Sequence, residues 1–463
     1  MKKEVRAVFE HKVGEYLIPN GMSEHLTNVM IEYIKKHDID ETVSAFEEFR
    51  GVHPNIFLPY DSSCDNEIRL QEDILSELNV DDKYITTDAV IYLYFIGTAG
   101  AIGYGLEPDS SSEPLITTSY FGNLSDIVIH YLQTKDNFFI YFRNQQEGID
   151  VDILNSIYHE SKKYNIPLEK IVLQADSCDY DLMKKNIENK YQINYNIKYF
   201  MYPWALTLGA EYIEELTDRN NIVKDFETNR THKVICLNRR LKKYRIGIIS
   251  FLLGMKYENM YLSYDLAWGN DYDLIESNPY KKEVKDILND GFSKLHETKK
   301  RKADNIDDDF DKVYFDDYKM YKNSYFSIVT ESHFFGSLRI TEKITKPILN
   351  YHPFVIVGNY QTLKLLKYFG FKTFSDFWDE SYDEIENAED RFLAITEVVN
   401  YLMNLSTKEW DELTKKLIPI LIYNKENLKK FSIVNIKEEY EDNLINLLEN
   451  QYSNKYNSII CSE

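Results

Sequence analysis

The chain has 463 residues, with 76 acidic and 54 basic side chains, and its formal net charge is −22. Its length predicts two domains, because a single hydrophobic core rarely grows to this size. The composition, 43% apolar and 28% charged, is typical of a soluble globular protein, and no apolar run is long enough to predict a membrane span. The acidic charge disfavours nucleic acid as a partner, unless basic residues concentrate in one cleft.

The N-terminus and the four cysteines both favour a cytoplasmic protein. Residues 1–19 include basic residues but no uninterrupted apolar core and no small-residue cleavage site, so they are not typical of a secretory signal. The cysteines show no CxxC spacing, which argues against a disulfide framework and against a structural zinc site. We therefore expect a cytoplasmic location and reduced cysteines.

The first half of the chain contains two kinds of pattern. Helical periodicity in MSEHLTNVMIEYIKKH and ETVSAFEEF predicts a helical accessory region over residues 1–80. Residues 81–230 alternate helical stretches with apolar runs, and this alternation is typical of a parallel sheet covered by helices. The runs are AVIYLYFIG, DIVIHYLQ, NFFIYFRN and KIVLQAD. They predict a first Rossmann-like domain.

A second series of apolar runs begins with KVICLN and continues with MYLSY, YFSIVTES and PFVIVG. It predicts a second Rossmann-like domain over residues 231–430, followed by a C-terminal helix over residues 431–463. At about residues 270–322 the chain carries opposed charge blocks without apolar periodicity, which predicts a surface insertion. That insertion is either a solvated loop or a contact for an acceptor. The predicted fold class is α/β with two Rossmann-like domains.

A basic cluster follows the apolar strand KVICL. Asn238, Arg239 and Arg240 form a polar turn at the carboxyl end of the strand, and Arg245 lies near the start of the next helix. Parallel α/β sheets bind ligands at this edge, and a guanidinium group suits a phosphate or a diphosphate. The alternative is a solvated basic turn. The position directly after a strand of buried type favours phosphate binding.

A second polar cluster follows the strand YFSIVT. Glu331 and Ser332 come at the end of the strand, and Thr341, Glu342 and Lys343 begin the helix of RITEKITKPILN. A helix N-terminus attracts phosphate, a lysine adds positive charge, and a carboxylate can accept hydrogen bonds from ribose or sugar hydroxyls. The structural alternative makes Thr341 an N-cap and Glu342 a residue that complements the helix dipole.

Neither the acidic residues nor the histidines predict a metal site. The acidic turn DFWDESYDEIENAED contains Asp379, Glu380, Asp383 and Glu384, which we interpret as a solvated face in preference to a metal site. The ten histidines form no HxxxH or HxH set. No metal is therefore expected.

The order VTES, RITEKITKPI, HPFVIVG and GFKTF resembles the donor-binding half of fucosyltransferase-like and exostosin-like glycosyltransferases. The passage SDFWDESYDEIENAEDRFLAI also resembles a phage or bacterial branch of such proteins. The resemblance is clearest over residues 325–391, includes CLNRR more loosely, and does not extend to the first 230 residues. The chain has VTES where fucosyltransferases usually show FEN. The family architecture is that of two Rossmann-like domains facing a cleft, known as GT-B.

The resemblance implies a hexosyl- or fucosyltransferase-like enzyme that moves a sugar from a nucleotide-diphosphate sugar to a hydroxyl of a glycan, lipid or protein. It implies that Glu331 and Glu342 contact the nucleotide sugar and that Lys343 contacts a donor phosphate. The three arginines of the basic cluster would neutralise the diphosphate further. Such enzymes commonly stabilise the leaving group with cations and a helix dipole, so no metal and no other cofactor is expected to be required.

Sugar transfer also calls for a positioned base on the acceptor side. The candidates are Glu107, Asp109 and Glu147, which follow predicted strands of the first domain. Two other functions remain open. One is a nucleotide-sugar or carbohydrate-binding protein that keeps the fold without catalysis. The other is a transferase acting on modified DNA bases, which would need a basic, aromatic-lined groove in the first domain.

Overall fold

The computed structural model describes residues 4–13, 16–20, 90–97, 121, 126–144, 149, 151–215, 230–238, 242–255, 257, 259–265, 282–301, 318–432, 435–436, 443 and 446–448. The chain divides into a first unit, Met1–Tyr202 with Lys437–Glu463, and a second unit, Pro203–Ile436. Each unit contains a mainly parallel sheet with helices. The predicted fold class, α/β with two Rossmann-like domains, is confirmed.

The first unit contains strands β1 Glu4–Val13, β2 Tyr16–Asn20, β3 Val90–Gly97, β4 Phe138–Asn144, β5 Ile171–Ala175 and β6 Lys198–Met201. Its described helices are α1 Asp126–Thr134, α2 Val151–Lys163 and α3 Tyr180–Tyr191. The sheet order is β2-β1-β3-β4-β5-β6, and only the pairing of β1 with β2 is antiparallel. All five residues of β5 are buried, as expected for an inner parallel strand whose neighbours lie on both sides.

The second unit begins with the helix α4 Trp204–Glu215. Its strands are β7 His232–Leu237, β8 Met260–Asp265, β9 Lys300–Arg301, β10 Ser324–Thr330 and β11 Phe354–Val357. Its other helices are α5 Lys243–Gly254, α6 Lys282–Thr298, α7 Tyr318–Lys322, α8 Glu342–Leu349, α9 Thr362–Tyr368, α10 Ala388–Asn404 and α11 Thr407–Lys429. The sheet order is β11-β10-β7-β8-β9, and only β9 is antiparallel to its neighbour.

The structure differs from the sequence-based expectation at the N-terminus. Residues 4–13 and 16–20 do not belong to a helical accessory region, because β1 and β2 join the first sheet and β1 pairs in parallel with β3. The pairing is long-range, so helical periodicity further along the chain gave no sign of it. The predicted helices of MSEHLTNVMIEYIKKH and ETVSAFEEF lie outside the described residues.

The run DIVIHYLQ, expected to be an apolar strand, forms α1 instead. Tyr131 and Leu132 are buried there, while His130 and Gln133 are exposed. A strand would place neighbouring residues on opposite faces, so two adjacent buried residues between two exposed ones fit a helix better. Short apolar runs are ambiguous between the two elements until tertiary contacts decide.

The stretch predicted as a surface insertion contains ordered secondary structure. α6 lies within it, and β9 extends the second sheet by pairing with β8. At Gly291 of α6, an added Cβ would lie 1.6 Å from the carbonyl oxygen of Ser250 on α5. This separation shows that the two helix backbones touch, so α6 is part of the packed unit. Residues 302–317, which carry much of the acidic block, lie outside the described residues.

The structural division also falls at a different place from the predicted boundary at residues 230 and 231. α4 belongs to the second unit, and an added Cβ on its Gly209 would lie 2.7 Å from Cβ of Thr345 on α8. At the other end, residues from Lys437 onward belong to the first unit, and Lys198 Nζ donates to the carbonyl of Leu447 at 3.2 Å. None of the helices in the described part of the chain combines the length and apolar composition that a membrane crossing needs.

Candidate functional site

β10 lies between β7 and β11 in the second sheet and ends in the polar residues of the second sequence cluster. All seven of its residues are buried, because it has a parallel neighbour on each side. Its last residue, Thr330, pairs with Val357 of β11, so Glu331 and Gly358 leave the sheet side by side. An added Cβ on Gly358 would lie 3.5 Å from Cγ of Glu331. The site therefore lies at the carboxyl edge of the sheet, where parallel α/β proteins bind their ligands.

Side chains at the start of α5 hold the backbone that leaves β10. Tyr244 donates through its hydroxyl to the carbonyl of Glu331 at 2.6 Å, and Arg245 Nη2 donates to the same carbonyl at 2.9 Å. Lys242 Nζ donates to the carbonyl of Ser332 at 2.8 Å. Lys242 and Arg245 are thus packed against the β10 exit and do not belong to a solvated turn. Their positive charges are fixed beside Glu331.

Glu331 is a carboxylate with only 2% of its surface exposed. Its Oε2 accepts a hydrogen bond from the hydroxyl of Thr341, whereas its Oε1 has no hydrogen-bond partner among the described residues. Burial raises the pKa of Glu331, and the nearby charge of Lys343 opposes that shift. Leaving a buried acceptor unsatisfied costs about 1–3 kcal/mol, so it marks a place where a ligand can supply the missing donor.

Thr341 is at the N-cap position of α8, as the structural alternative predicted, but its side chain makes no capping bond to the helix. Its hydroxyl donates to Glu331 instead. The amides of a first helical turn carry partial positive charge and need acceptors. Because Thr341 is directed to Glu331, its side chain does not cap these amides, and the amide of Glu342 bonds to the carboxylate of Glu342 instead.

Lys343 and Glu342 form a close pair in the first turn of α8. Lys343 Nζ donates to Oε1 of Glu342 at 2.6 Å and to the hydroxyl of Ser332 at 3.1 Å. Burial, the largest single effect, raises the pKa of Glu342, but the charge and hydrogen bond of Lys343, a backbone hydrogen bond and the charge of Lys346 together outweigh it and lower this pKa to about 2. Glu342 is therefore ionised, and its carboxylate is paired with Lys343. The two carboxylates differ in role, because only Glu331 keeps an unpartnered oxygen.

Basic side chains surround His333 at this edge of the sheet. Burial, followed by the positive charges of nearby basic residues, lowers the pKa of His333 to about 3, so its ring is neutral at neutral pH. The contributing residues are Arg339, Lys242, Lys343 and Arg245. The Nε2 atom of His333 is buried without a hydrogen-bond partner among the described residues. Four cations converging on one neutral ring make a site that attracts an anion.

The structure brings together most of the donor-site residues that the sequence predicted. Asn238 is one of them, but its side chain makes contacts within the sheet. The hydroxyl of Thr330 donates to Oδ1 of Asn238 at 2.6 Å, and Asn238 Nδ2 donates to the sulfur of Cys236 at 3.3 Å. Asn238 thus ties the end of β7 to the end of β10. Arg239 and Arg240, together with the candidate bases Glu107, Asp109 and Glu147, lie outside the described residues.

Several residues of the site were not predicted from the sequence. We use the name β10–α8 cluster for Lys242, Arg245, Glu331, His333, Arg339 and Lys343. Of these, Lys242 belongs to the basic run after β7, and Arg339 precedes Thr341 by two residues, so local signals existed for both. His333 gave no signal, because its burial and its charged neighbours depend on how the loop after β10 turns back.

The acidic turn is only partly the solvated face that the sequence predicted: Asp379 and Glu384 are exposed, whereas Glu380 and Asp383 are buried. Asp383 accepts hydrogen bonds from the backbone amides of Leu363 at 2.8 Å and Lys364 at 2.9 Å, which caps the start of α9. Oε1 of Glu380 accepts from the amide of Phe374 at 2.8 Å. Sequence alone missed these roles, because the partners are backbone groups and are not visible in residue types.

Arg391 completes what we call the acidic-turn cluster, with Glu380 and Asp383. Its guanidinium donates to the carbonyls of Gly358 at 3.2 Å, Ile385 at 2.7 Å and Glu386 at 2.9 Å, and also to that of Phe334. The side chain is almost completely buried, with 1% of its surface exposed. Arg391 therefore fastens the end of β11 and the loop after β10 to the start of α10. Among the described residues, no group of three or more His, Cys, Asp or Glu is arranged to hold a metal.

These features define an α/β protein of two units whose second parallel sheet ends in a buried site suited to an anion. No protein-family model matches the chain, and no curated protein matches it significantly. Solved structures do match. A UDP-forming α,α-trehalose-phosphate synthase from Burkholderia xenovorans is 10% identical, with a TM-score of 0.40 over 84% of this chain and 81% of that one.

Two further structures are similar at the same level. A trehalose-6-phosphate protein from E. coli bound with UDP-2-fluoro glucose is 10% identical, with a TM-score of 0.38 over 81% of this chain and 80% of that one. A glycosyltransferase from Rickettsia africae is 12% identical, with a TM-score of 0.33 over 78% of this chain and 91% of that one. These scores are low, so the fold assignment rests on the chain's own strand order and pairing. None of the three is named as a fucosyltransferase or an exostosin, and that finer resemblance stays a prediction.

Proposed function

We propose that the chain is a glycosyltransferase that binds the diphosphate of a nucleotide sugar at the β10–α8 cluster and transfers the sugar to an acceptor hydroxyl. The observation that carries the proposal is the unpartnered Oε1 of the buried Glu331, beside a neutral His333 on which four cations converge. An anion satisfies the cations, and a hydroxyl donor satisfies the carboxylate. A nucleotide sugar carries both groups close together.

The chemistry of transfer explains why cations are needed at this position. When the glycosidic bond to the diphosphate breaks, negative charge develops on the leaving phosphate, and preorganised positive groups stabilise that charge most in a site shielded from water. Lys343 and the first-turn amides of α8 supply positive charge from one element, and Arg245 and Lys242 supply it from α5. We propose that these cations hold the diphosphate and that no metal is required.

The carboxylate of Glu331 is assigned to the sugar or ribose hydroxyls, not to proton transfer. The hydrogen bond from Thr341 fixes its orientation, and the hydrogen bonds to its own carbonyl fix the backbone beneath it. A hydroxyl that donates to Oε1 then orients the donor relative to the cations. The pairing of Glu342 with Lys343 holds the lysine at the start of α8, so Glu342 acts on the donor through Lys343.

The acceptor side of the reaction belongs to the first unit in this proposal. The base is one of Glu107, Asp109 and Glu147, and the acceptor is a hydroxyl of a glycan, lipid or protein. Arg239 and Arg240 extend the phosphate contacts from the turn after β7. The resemblance over residues 325–391 supports a hexosyl- or fucosyltransferase-like donor, and we propose a cytoplasmic location.

A thermal-shift screen against uridine, guanosine, cytidine and thymidine diphosphate sugars tests the proposal. A ligand that binds only the native state stabilises it by about 2.7 kcal/mol at roughly 100 times its Kd, which raises the melting temperature measurably. We expect one nucleotide sugar to give a shift, its nucleoside diphosphate to keep most of it, and its nucleoside to give little. If no nucleotide sugar shifts the melting temperature at millimolar concentration, the proposal is wrong.

A second measurement separates an enzyme from a binding protein with the same site. The nucleotide sugar identified by the screen is incubated with the protein and a panel of glycan, lipid and peptide acceptors, and released nucleoside diphosphate is followed. Release that depends on an acceptor, or slow hydrolysis without one, supports transfer. Tight binding without any release shows a nucleotide-sugar-binding protein and rejects the catalytic half of the proposal.

A further inference from the structure

A pocket lined by aromatic rings lies beside the acidic turn, between the segment before it and the outer face of α10. Its volume is about 310 Å³, at the lower end of the roughly 300–1,000 Å³ typical of small-ligand sites. The aromatic lining residues are Phe377, Trp378, Tyr382 and Tyr401. None of them belongs to the β10–α8 cluster, so the pocket is a separate site within the second unit.

Trp378 lines the pocket and has a side-chain hydrogen-bond donor that is not used within the described residues. Trp378 is 5% exposed, and its Nε1 is buried without a hydrogen-bond partner among the described residues. One of its neighbours is Phe374, whose ring stacks on it with centroids 4.8 Å apart. Buried tryptophan N–H groups usually find an acceptor. In a residue that lines a pocket, the acceptor can come from a bound molecule.

The charges of the lining exclude some ligands and favour others. The ionisable lining residues, other than tyrosines, are the exposed carboxylates Asp379 and Glu397, and no lysine or arginine lines the pocket. A phosphate or another anion would meet only negative charge here. The carboxylates can instead accept hydrogen bonds from hydroxyl or amine groups. Oδ1 of Asp379 already accepts from the amide of Ser381 at 2.8 Å, which holds that side chain in place.

Tyr401 is the most exposed of the large apolar side chains at this surface. It is 51% exposed on α10, whereas Trp378, which also lines the pocket, is buried. The face of an aromatic ring is electron-rich and attracts partly positive C–H groups as well as cations. A sugar ring has an apolar C–H face and a rim of hydroxyls. It therefore matches the aromatic rings, the carboxylate acceptors and the N–H donor at once.

We propose that this pocket binds one sugar residue of a glycan, neutral or carrying an amino group, separately from the nucleotide-sugar site. The ring of Tyr401 stacks on the sugar, a hydroxyl accepts from Nε1 of Trp378, and further hydroxyls donate to Asp379 and Glu397. The proposal does not depend on the proposed function, because a glycan-binding pocket has the same chemistry whether or not the β10–α8 cluster catalyses transfer.

Ligand-observed saturation-transfer NMR on the full chain tests this pocket. The probes are glucose, galactose, mannose, fucose, N-acetylglucosamine and glucosamine at millimolar concentration, with choline and inorganic phosphate as contrasting ligands. Tyr401→Ala removes the exposed ring, and Trp378→Phe removes the N–H donor while keeping an aromatic ring. Tyr368→Ala, at a tyrosine 38% exposed on α9 and outside the pocket, is the matched control.

We expect at least one sugar to give a transfer signal with the wild type, and each pocket variant to weaken its binding by about fivefold or more. The control variant should bind as the wild type does, and all three variants should keep the nucleotide-sugar response of the wild type. The proposal is overturned if no sugar binds, if choline binds and the sugars do not, or if Tyr401→Ala leaves sugar binding unchanged. Loss of nucleotide-sugar binding in a folded pocket variant would also overturn the independence of the two sites.

Discussion

Two buried charged clusters lie at the carboxyl edge of the second sheet, and they use their charges in opposite ways. In the acidic-turn cluster, both oxygens of Asp383 accept backbone amides, and Arg391 donates to four backbone carbonyls. In the β10–α8 cluster, Oε1 of Glu331 and Nε2 of His333 have no partner among the described residues. Oε2 of Glu380 also lacks a partner among the described residues, so the contrast is carried by Asp383 and Arg391. Their contacts stabilise the fold, whereas the unpartnered atoms of the β10–α8 cluster are those that we propose a ligand contacts.

The two clusters are also physically connected through Arg391. Arg391 donates to the carbonyl of Gly358, and Gly358 is the residue that approaches Glu331. The same arginine donates to the carbonyl of Phe334, which follows His333 in the chain. The acidic-turn cluster therefore supports the backbone of the β10–α8 cluster. Substitutions in the first should act on stability, and substitutions in the second should act on binding.

The largest effect is expected from Arg391→Met. The substitution leaves four backbone carbonyls without their charged donor in a buried place, and breaking such a network costs about 3–5 kcal/mol. We expect the free energy of unfolding, measured by urea denaturation, to fall by that amount. Lys416→Met, at an exposed lysine of α11, is the control and should change it by less than about 0.5 kcal/mol. A loss below about 1 kcal/mol in Arg391→Met would show that the network carries little of the stability.

A smaller loss is expected from Asp383→Ala. The two amides that it caps at the start of α9 lose their acceptor, and removing such a cap costs about 1–2 kcal/mol. Hydrogen exchange at the amides of Leu363 and Lys364 should accelerate more than exchange in β10. Asp376→Ala, at an exposed acid before the turn, serves as the control and should leave both amides protected. Equal exchange in the two variants would reject the capping role.

At neutral pH, Glu331→Gln should raise the free energy of unfolding, whereas the two preceding substitutions should lower it. Burial raises the pKa of Glu331 above its ordinary value of 4.5, so the native state holds the proton more tightly than the unfolded state does. The stability that this group contributes is present below pH 4.5 and is lost as the pH rises through the raised pKa. At neutral pH the variant, which has no charge to bury, should be more stable than the wild type.

Urea denaturation of the wild type and Glu331→Gln across the acidic and neutral range measures this difference. The stability gap should close as the pH falls below the ordinary pKa of a glutamate, because both side chains are then neutral. The same variant should bind the nucleotide sugar more weakly, since an amide is a poorer acceptor for a hydroxyl than a carboxylate is. A variant that is less stable than the wild type at neutral pH would contradict the account of Glu331 as a strained ligand group.

The contrast between the clusters also shows what the sequence could reveal. Buried apolar runs such as SYFSIVT predicted β10, and polar residues at its end and at the start of α8 predicted the site, because both signals are local. The charges of Glu380 and Asp383 were interpreted as solvated, since their backbone partners have no signature in the sequence. The positions of His333 and of β1 depended on tertiary contacts in the same way. Contacts between residues far apart in the chain determine all of these features, and a single sequence does not show such contacts.

Isothermal titration of the nucleotide sugar that gives the thermal shift tests the central claim most directly. Lys343→Met removes a cation of the β10–α8 cluster, and Lys367→Met removes one from an exposed position of α9 in the same unit. The net charge changes equally in both, so general electrostatic attraction is matched. We predict that Lys343→Met weakens binding of both the nucleotide sugar and its nucleoside diphosphate by roughly 10- to 100-fold, as expected for the loss of a charge-assisted phosphate contact, while Lys367→Met binds as the wild type does. Equal affinities for the two variants would contradict the claim that the diphosphate lies at the start of α8.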